Sequence, residues 1–221
     1  MIKATFVPII IYYFVHQISA MLLLSLVPVE QAGSSGSLLT MLAKMVAMVL
    51  GGVVVFSYYL KEKKIREEEN NNTKNKLQFN IMNAAVIILA GAAFSLGFNY
   101  LFAVTGLLES SANYSQVARE QFSYGLLPAL FFYGVVSPLV EEEVFRGIVY
   151  NSLRRNIGIF PAILGSALLF GAIHGNMVQM LYGTIMGIAM ASLYEKYGKL
   201  LTSILFHSAA NIAIYVYIYF I

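Results

Sequence analysis

The 221-residue chain has no cysteine and no aspartate, and only 11% of its residues are charged. The lack of cysteine excludes a disulfide framework, a thiolate metal site and a cysteine nucleophile. The lack of aspartate excludes a catalytic pair of aspartates. The net charge of +3 is small and comes largely from lysines and arginines that flank apolar runs, so the composition does not indicate nucleic-acid binding.

Apolar side chains make up 59% of the chain and give it a mean hydropathy of +0.73. Several apolar runs are long enough to cross the ~30 Å hydrocarbon core of a bilayer as helices. The sequence therefore predicts an all-α fold, a polytopic transmembrane bundle of about seven helices in a single integral-membrane domain, residues 1–221. The predicted helices are 5–27, 38–60, 80–104, 122–152, 160–175, 177–195 and 200–220.

Basic residues are distributed unevenly between the two sides of this predicted bundle. Of the 14 lysines and arginines, eleven fall on one side. They are Lys3, the six between Lys61 and Lys76, Arg154, Arg155, Lys196 and Lys199. Because basic loops are retained in the cytoplasm, we expect a multi-pass cell-membrane protein with this side inside. Segment 61–76, which lacks apolar periodicity, is predicted to be a flexible connector.

Three consecutive glutamates, Glu141 to Glu143, lie inside the fourth apolar segment. Each charge there costs roughly 2.5–3.5 kcal/mol, so a function for at least one of them is expected. Glu142 and Arg146 are four residues apart, share a helix face and are expected to pair. Glu141 points about 100° away and is free to face a cavity. A buried ion pair that only specifies the fold is the alternative for Glu142, and Glu143 receives no role.

Two histidines and an asparagine occupy later apolar segments at comparable depth. At a rise of 1.5 Å per residue, Glu142 lies about 18 Å from Arg154, His174 about 21 Å from Phe160, and His207 with Asn211 about 12–18 Å from Lys199. Each histidine alone is explained by a hydrogen bond to a neighbouring carbonyl, and the asparagine by an interhelical bond. Their convergence at one depth predicts a single intramembrane site.

Three motifs carry a resemblance to a known family. PLVEEEVFRG at 138–147 resembles its EExxxR motif, LLFGAIHG at 168–175 its FxxxH motif, and GKLLTSILFHSAAN at 198–211 its HxxxN motif. The order and separation also match those of the CPBP (Abi/CAAX-protease-like) family of intramembrane proteases, which includes the type II prenyl-protein endopeptidases. The resemblance divides the chain into N-terminal helices, 1–105, and a catalytic CPBP-like core, 120–215.

The resemblance implies a role for each matching residue. Glu141 is the general base that activates water, assisted by His174, and Glu142 is a supporting carboxylate fixed by Arg146. His207 and Asn211 donate hydrogen bonds to the tetrahedral oxyanion. Buried, preorganised donors act best where water is excluded. These six residues are the predicted catalytic set.

Members of the family have been described both as metalloproteases and as glutamate-dependent enzymes. If a metal is used, Glu142, His174 and His207 are the predicted ligands of a catalytic zinc. The HExxH helix of zincins is absent and Asn211 suits an oxyanion better than zinc, so a mechanism that requires no cofactor is favoured.

The predicted function is therefore hydrolysis of a membrane-associated peptide or protein in the lipid bilayer, at a site reached from the cytoplasm. The alternative is a CPBP-fold bacteriocin-immunity or scaffold protein without catalysis. A proton-coupled transporter would also bury glutamate and histidine, but it would be expected to show internal repeats, and none is convincing.

Overall fold

The computed structural model describes residues 2–28, 38–73, 76–106, 116, 120–121 and 123–220. These residues form seven long helices and no strand, which confirms the predicted all-α bundle. The helices are α1 (Ile2–Ser25), α2 (Leu38–Thr73), α3 (Ile81–Val104), α4 (five consecutive segments from Leu126 to Ile157), α5 (Ile159–Ala172), α6 (Met177–Tyr197) and α7 (Leu200–Phe220).

Five of the helices, α1, α2, α3, α6 and α7, are long and apolar enough to cross a membrane. Helix α5 has 14 residues and is therefore about 21 Å long, shorter than the hydrocarbon core. It ends at Ala172, so His174 lies in the turn before α6 and not inside a helix as the predicted span 160–175 required. Non-helical backbone at membrane depth is tolerated where it lines a cavity.

The prediction of a flexible connector at 61–76 is wrong, because α2 continues through this hydrophilic segment to Thr73. The segment lacks an apolar face, but its charges pair with other helices. Glu62 binds Arg155, Glu69 binds Arg154, and Arg66 binds Glu195. Ion pairs with α4 and α6 therefore stabilise this part of α2, which the local sequence pattern does not predict to be helical.

Glu195, near the end of α6, is the centre of this ion-pair network. Its carboxylate also accepts from Lys76 at 2.7 Å, from the Arg154 Nε at 3.0 Å and from the Tyr150 hydroxyl at 2.8 Å. The ends of α2, α4 and α6 are thereby held together, and α3, α5 and α7 begin beside them. We call this the basic end of the bundle.

Helix α4 contains two π-helical segments, Phe132–Val136 and Glu143–Tyr150, on either side of the α-helical Ser137–Glu142. The chain remains helical through Pro138, and the Ser137 hydroxyl donates to Glu141 one turn later. π-Segments occur frequently at functional sites.

Three glycines let two pairs of helices approach closely. A Cβ on Gly91 of α3 would lie 2.4 Å from the Phe206 carbonyl oxygen of α7. On Gly187 of α6 it would lie 2.9 Å from the Ala167 Cα of α5, and on Gly171 it would lie 2.5 Å from the Met180 carbonyl. These contacts fix α3 against α7 and α5 against α6, the helices that carry the predicted site.

Candidate active site

A cavity of about 310 Å³ lies between these helices. Four of the six residues predicted as catalytic line it, namely Glu141, His174, His207 and Asn211. They come from α4, the α5–α6 turn and α7. The other lining residues are Met48, Ser95, Asn99, Phe102, Gln121, Tyr133, Ser137, Phe170, Val178, Gln179, Tyr182, Gly183, Met186, Ile214, Tyr215 and Ile218.

Glu141 is a buried carboxylate whose two oxygens have different surroundings. Oε1 accepts a hydrogen bond of 2.5 Å from the Ser137 hydroxyl, one helical turn earlier. Oε2 lies 3.7 Å from the Nε2 atom of His207. The serine fixes the carboxylate and leaves the second oxygen directed at an imidazole beside the cavity.

Glu142 and Arg146 lie outside the cavity wall and are both fully buried. The Arg146 Nη1 atom donates to Glu142 Oε1 at 2.7 Å, as the four-residue spacing predicts. The guanidinium also donates to the Gly187 carbonyl at 3.2 Å and stacks over the Phe170 ring, 4.6 Å from its centre. Because neither residue lines the cavity, their contacts can only orient the groups around it.

His207 is the group that they position. Its Nδ1 atom lies 3.0 Å from Glu142 Oε1, and since a carboxylate only accepts, Nδ1 carries the hydrogen. The imidazole is therefore oriented by a buried acid on one nitrogen, which leaves Nε2 facing Glu141 and the cavity. An acid that orients a histidine in this way serves the same purpose in serine proteases.

His174 is oriented by its own backbone. Its Nδ1 atom lies 2.9 Å from the Phe170 carbonyl oxygen and donates to it. In the neutral imidazole, the other nitrogen is then an acceptor. The Phe170 ring contacts both imidazoles edge-on, with centroid distances of 5.1 Å to His174 and 5.6 Å to His207. One aromatic ring thus sets the relative placement of the two histidines.

Asn211 binds the first π-segment of α4. Its Nδ2 atom donates to the Tyr133 carbonyl oxygen at 2.8 Å. In this segment the Ser137 N–H bonds to the Phe132 carbonyl, five residues back. The same offset pairs the Tyr133 carbonyl with Pro138, which has no N–H. Asn211 satisfies that carbonyl with one amide hydrogen and keeps a second for a ligand.

Several polar cavity residues were not singled out in the sequence. Ser137 lies four residues before Glu141, a spacing that could have revealed their contact. Ser95 and Asn99 of α3 lie four residues apart and line the cavity from a helix outside the three motifs. Glu143, which received no role, does not line the cavity and is half-buried.

The proposed zinc ligands Glu142, His174 and His207 do not fit a metal site in this arrangement. Glu142 lies outside the cavity that His174 and His207 line, and its Oε1 is already bonded to Arg146 and to His207 Nδ1. Within the described ranges, no group of three or more histidine and glutamate side chains is placed to hold a metal ion. We therefore derive no catalytic step through a metal.

Comparisons with known proteins match the segment that contains the site. Residues 123–213 match the sequence profile described as "Type II CAAX prenyl endopeptidase Rce1-like". A Bacillus subtilis (strain 168) protein named "Putative membrane peptidase YdiL" is 32% identical over 77 residues, which are 35% of this chain and 32% of the relative. The match thus spans about a third of the relative's length. No solved structure matches significantly.

Proposed function

We propose that this protein, which belongs to the CPBP family of intramembrane proteases through its residues 123–213, hydrolyses a peptide bond with a water activated by Glu141. Membership of this family supports the assignment of the protein as a membrane protease. The single observation that carries the mechanism is that Glu141, His174, His207 and Asn211 line one cavity between apolar helices.

The first step uses the carboxylate that Ser137 holds. Glu141 accepts a proton from water, with the acceptor nitrogen of His174 as a second contact for that water. The water oxygen adds to the peptide carbonyl carbon, and the carbonyl oxygen becomes an oxyanion. General-base catalysis of this kind typically contributes 10²–10⁴-fold.

The oxyanion then receives a hydrogen bond from the second amide hydrogen of Asn211, and a proton on His207 Nε2 would supply another, because this nitrogen faces the same cavity. The C–N bond breaks as Glu141 returns its proton to the leaving amine, so that one water is consumed and a carboxylic acid and an amine are released. Removing one such oxyanion donor costs about 10²–10³-fold in rate in serine proteases.

The test compares Glu141→Gln and His174→Ala with Glu143→Gln, a matched control that removes the adjacent charge without touching the cavity. Each variant is reconstituted in liposomes with a mixture of membrane peptides, and new peptide termini are identified by mass spectrometry. We expect the wild type and Glu143→Gln to cleave the same bonds, and the other two variants to lose cleavage while remaining folded.

Retention of cleavage by Glu141→Gln would contradict the proposed mechanism. If the protein confers immunity to a peptide in cells, and a stably inserted Glu141→Gln variant keeps this immunity, the protein acts as a non-catalytic immunity or scaffold protein. A chelator added to the same reaction is expected to leave the cleavage rate unchanged, because Glu142, one of the three predicted zinc ligands, is bonded to Arg146 and lies outside the cavity.

The proposed substrate is a membrane-associated peptide or protein. The prenyl group belongs to the description of the matched profile and is not carried over to this chain. The sequence predicts that the substrate reaches the site from the cytoplasm, but the positions of the cavity residues favour access from the opposite side.

A further inference from the structure

The cavity extends away from the basic end. On α7 its lining begins at His207, about 10 Å from Leu200, and ends at Ile218, about 27 Å from Leu200. On α3 it is lined by Ser95, Asn99 and Phe102, about 21–32 Å from Ile81. Leu200 and Ile81 both lie at the basic end, so the cavity occupies the far two-thirds of the bundle.

Helix α6 runs in the opposite direction, and its first residues, which line the cavity, also lie far from the basic end. Val178 and Gln179, which line the cavity, lie in its first turn, about 27–29 Å from Tyr197 at the basic end. Gln121 precedes α4 at the same far end, and its side chain accepts a hydrogen bond of 3.0 Å from the Tyr215 hydroxyl.

Packed side chains and backbone close the basic end. Gly91 brings α3 into contact with the Phe206 backbone immediately before His207. Arg146, which is fully buried, joins α4 to α6 through the Gly187 carbonyl. Beyond them lies the ion-pair network around Glu195. Among the described residues, none that lines the cavity belongs to this closed layer.

The far end of the cavity wall carries amides. Asn99, Gln121 and Gln179 lie there among apolar neighbours, with Ile218 36% exposed at the rim. Amides offer both donors and acceptors, the groups needed to pair with the backbone of an extended peptide. A peptide entering from this end would meet these amides first and Glu141 last.

We infer that the cavity opens on the non-cytoplasmic side of the membrane and takes extended peptide segments that reach it from outside the cell or from the outer leaflet. The interpretation of these peptides as substrates rests on the proposed function, and the orientation of the cavity rests on the positive-inside rule. Of the eleven lysines and arginines that the sequence predicts on one side, the ten that the structure describes lie at the basic end, which places that end in the cytoplasm. Secreted or outer-leaflet peptides fit this access route, whereas a tail presented in the cytoplasm does not.

Natural absence of cysteine allows a direct test by thiol labelling. Single cysteines are introduced as Asn99→Cys in the cavity wall, Leu101→Cys on the lipid-facing side at the same depth, and Lys64→Cys at the basic end. Leu101 is 48% exposed and does not line the cavity, and Lys64 is exposed on α2. Each variant is treated with a membrane-impermeant charged thiol reagent in spheroplasts of a bacterial host, before and after permeabilisation.

We expect Asn99→Cys to be labelled in intact spheroplasts with no further gain on permeabilisation. Lys64→Cys should gain labelling several-fold on permeabilisation, and Leu101→Cys should stay at background throughout. Ile218→Cys at the rim provides a second reporter of the same opening if Asn99→Cys inserts poorly.

Labelling of Asn99→Cys and Ile218→Cys only after permeabilisation, or labelling of Lys64→Cys in intact spheroplasts, would overturn the inference. Background labelling of both cavity reporters under all conditions would also overturn it. The readout needs no hydrolysis, so it is expected to be unchanged by an added Glu141→Gln. A failure of the proposed chemistry and a failure of the access route are therefore distinguished.

Discussion

Two neighbouring glutamates acquire different roles because consecutive helical residues point about 100° apart. Glu141 reaches the cavity, where Ser137 and His207 contact it, and Glu142 points into the bundle toward Arg146. Glu142 then orients His207, which lies beside Glu141. The imidazole is thus flanked by two carboxylates that have different partners, one beside the cavity and one in the core.

Arg146→Met is expected to destabilise the protein by about 3–5 kcal/mol, because it leaves Glu142 charged and buried without its main partner. The measurement is thermal or denaturant unfolding of the protein in detergent. The double variant Glu142→Gln with Arg146→Met should recover a large part of this loss, since the unpaired charge is gone. Equal stability of the single and double variants would contradict the assigned pairing.

At this scale the sequence predicts the Glu142–Arg146 pair from its spacing, because residues four apart on a helix are neighbours whatever the fold. It does not predict that Glu142 binds His207, 65 residues away. The catalytic roles of the six residues remain predictions, and the structure contributes their placement.

Helix α4 shows how a local irregularity in one element produces a specific contact with another. The π offset of five residues and the missing N–H of Pro138 leave the Tyr133 carbonyl without a partner in its own helix. Asn211 of α7 supplies the donor, which also fixes that side chain at the cavity.

Asn211→Leu is expected to lower stability by about 1–3 kcal/mol, because it leaves a part-buried carbonyl inside the helical bundle without a donor. Adding Pro138→Ala supplies an N–H five residues after Tyr133 and should restore part of the loss. Unfolding in detergent measures both. If Pro138→Ala changes the stability of Asn211→Leu and of the wild type by the same amount, Pro138 is not the reason that Asn211 is needed.

Helices α3 and α7 offer a second test at this scale. Gly91→Ala places a Cβ 2.4 Å from the Phe206 carbonyl oxygen, so the helices must separate. Overpacking of this kind typically costs about 1–3 kcal/mol. Gly97→Ala on the same helix is the control, because nothing lies within 4 Å of its Cβ, and it should be neutral or stabilising. Equal midpoints of unfolding for the two variants would contradict the close approach.

At the scale of the whole molecule, the lipid environment determines which segments are transmembrane helices, and a cluster of charges stabilises the extension of α2. The transmembrane helices were predictable because every span must be apolar and must satisfy its backbone internally. The helical extension of α2 was not, because segment 61–76 is held by residues of α4 and α6 that are far away in sequence. The extent of the cavity likewise depends on which helices pack together, which hydropathy does not encode.

Glu195→Gln is expected to lower stability by at least about 2 kcal/mol, because it leaves Arg66, Arg154 and Lys76 together without their shared carboxylate. Glu67→Gln is the control at the same end, since the ion pair that Glu67 forms with Lys63 at 4.0 Å is exposed, and it should cost less than about 1 kcal/mol. Unfolding midpoints in detergent separate the two. An equal effect would show that the network does not hold the basic end together.

The most direct test of water activation by Glu141 is a single-turnover cleavage in oxygen-18 water with a peptide substrate identified as above. Mass spectrometry then reads the label in the new carboxyl terminus of the product and in the protein fragment that contains Glu141. Direct attack by water predicts label in the product and none in the Glu141 side chain. Label in the Glu141 carboxylate would reveal a covalent acyl intermediate and contradict the role of Glu141 as a general base.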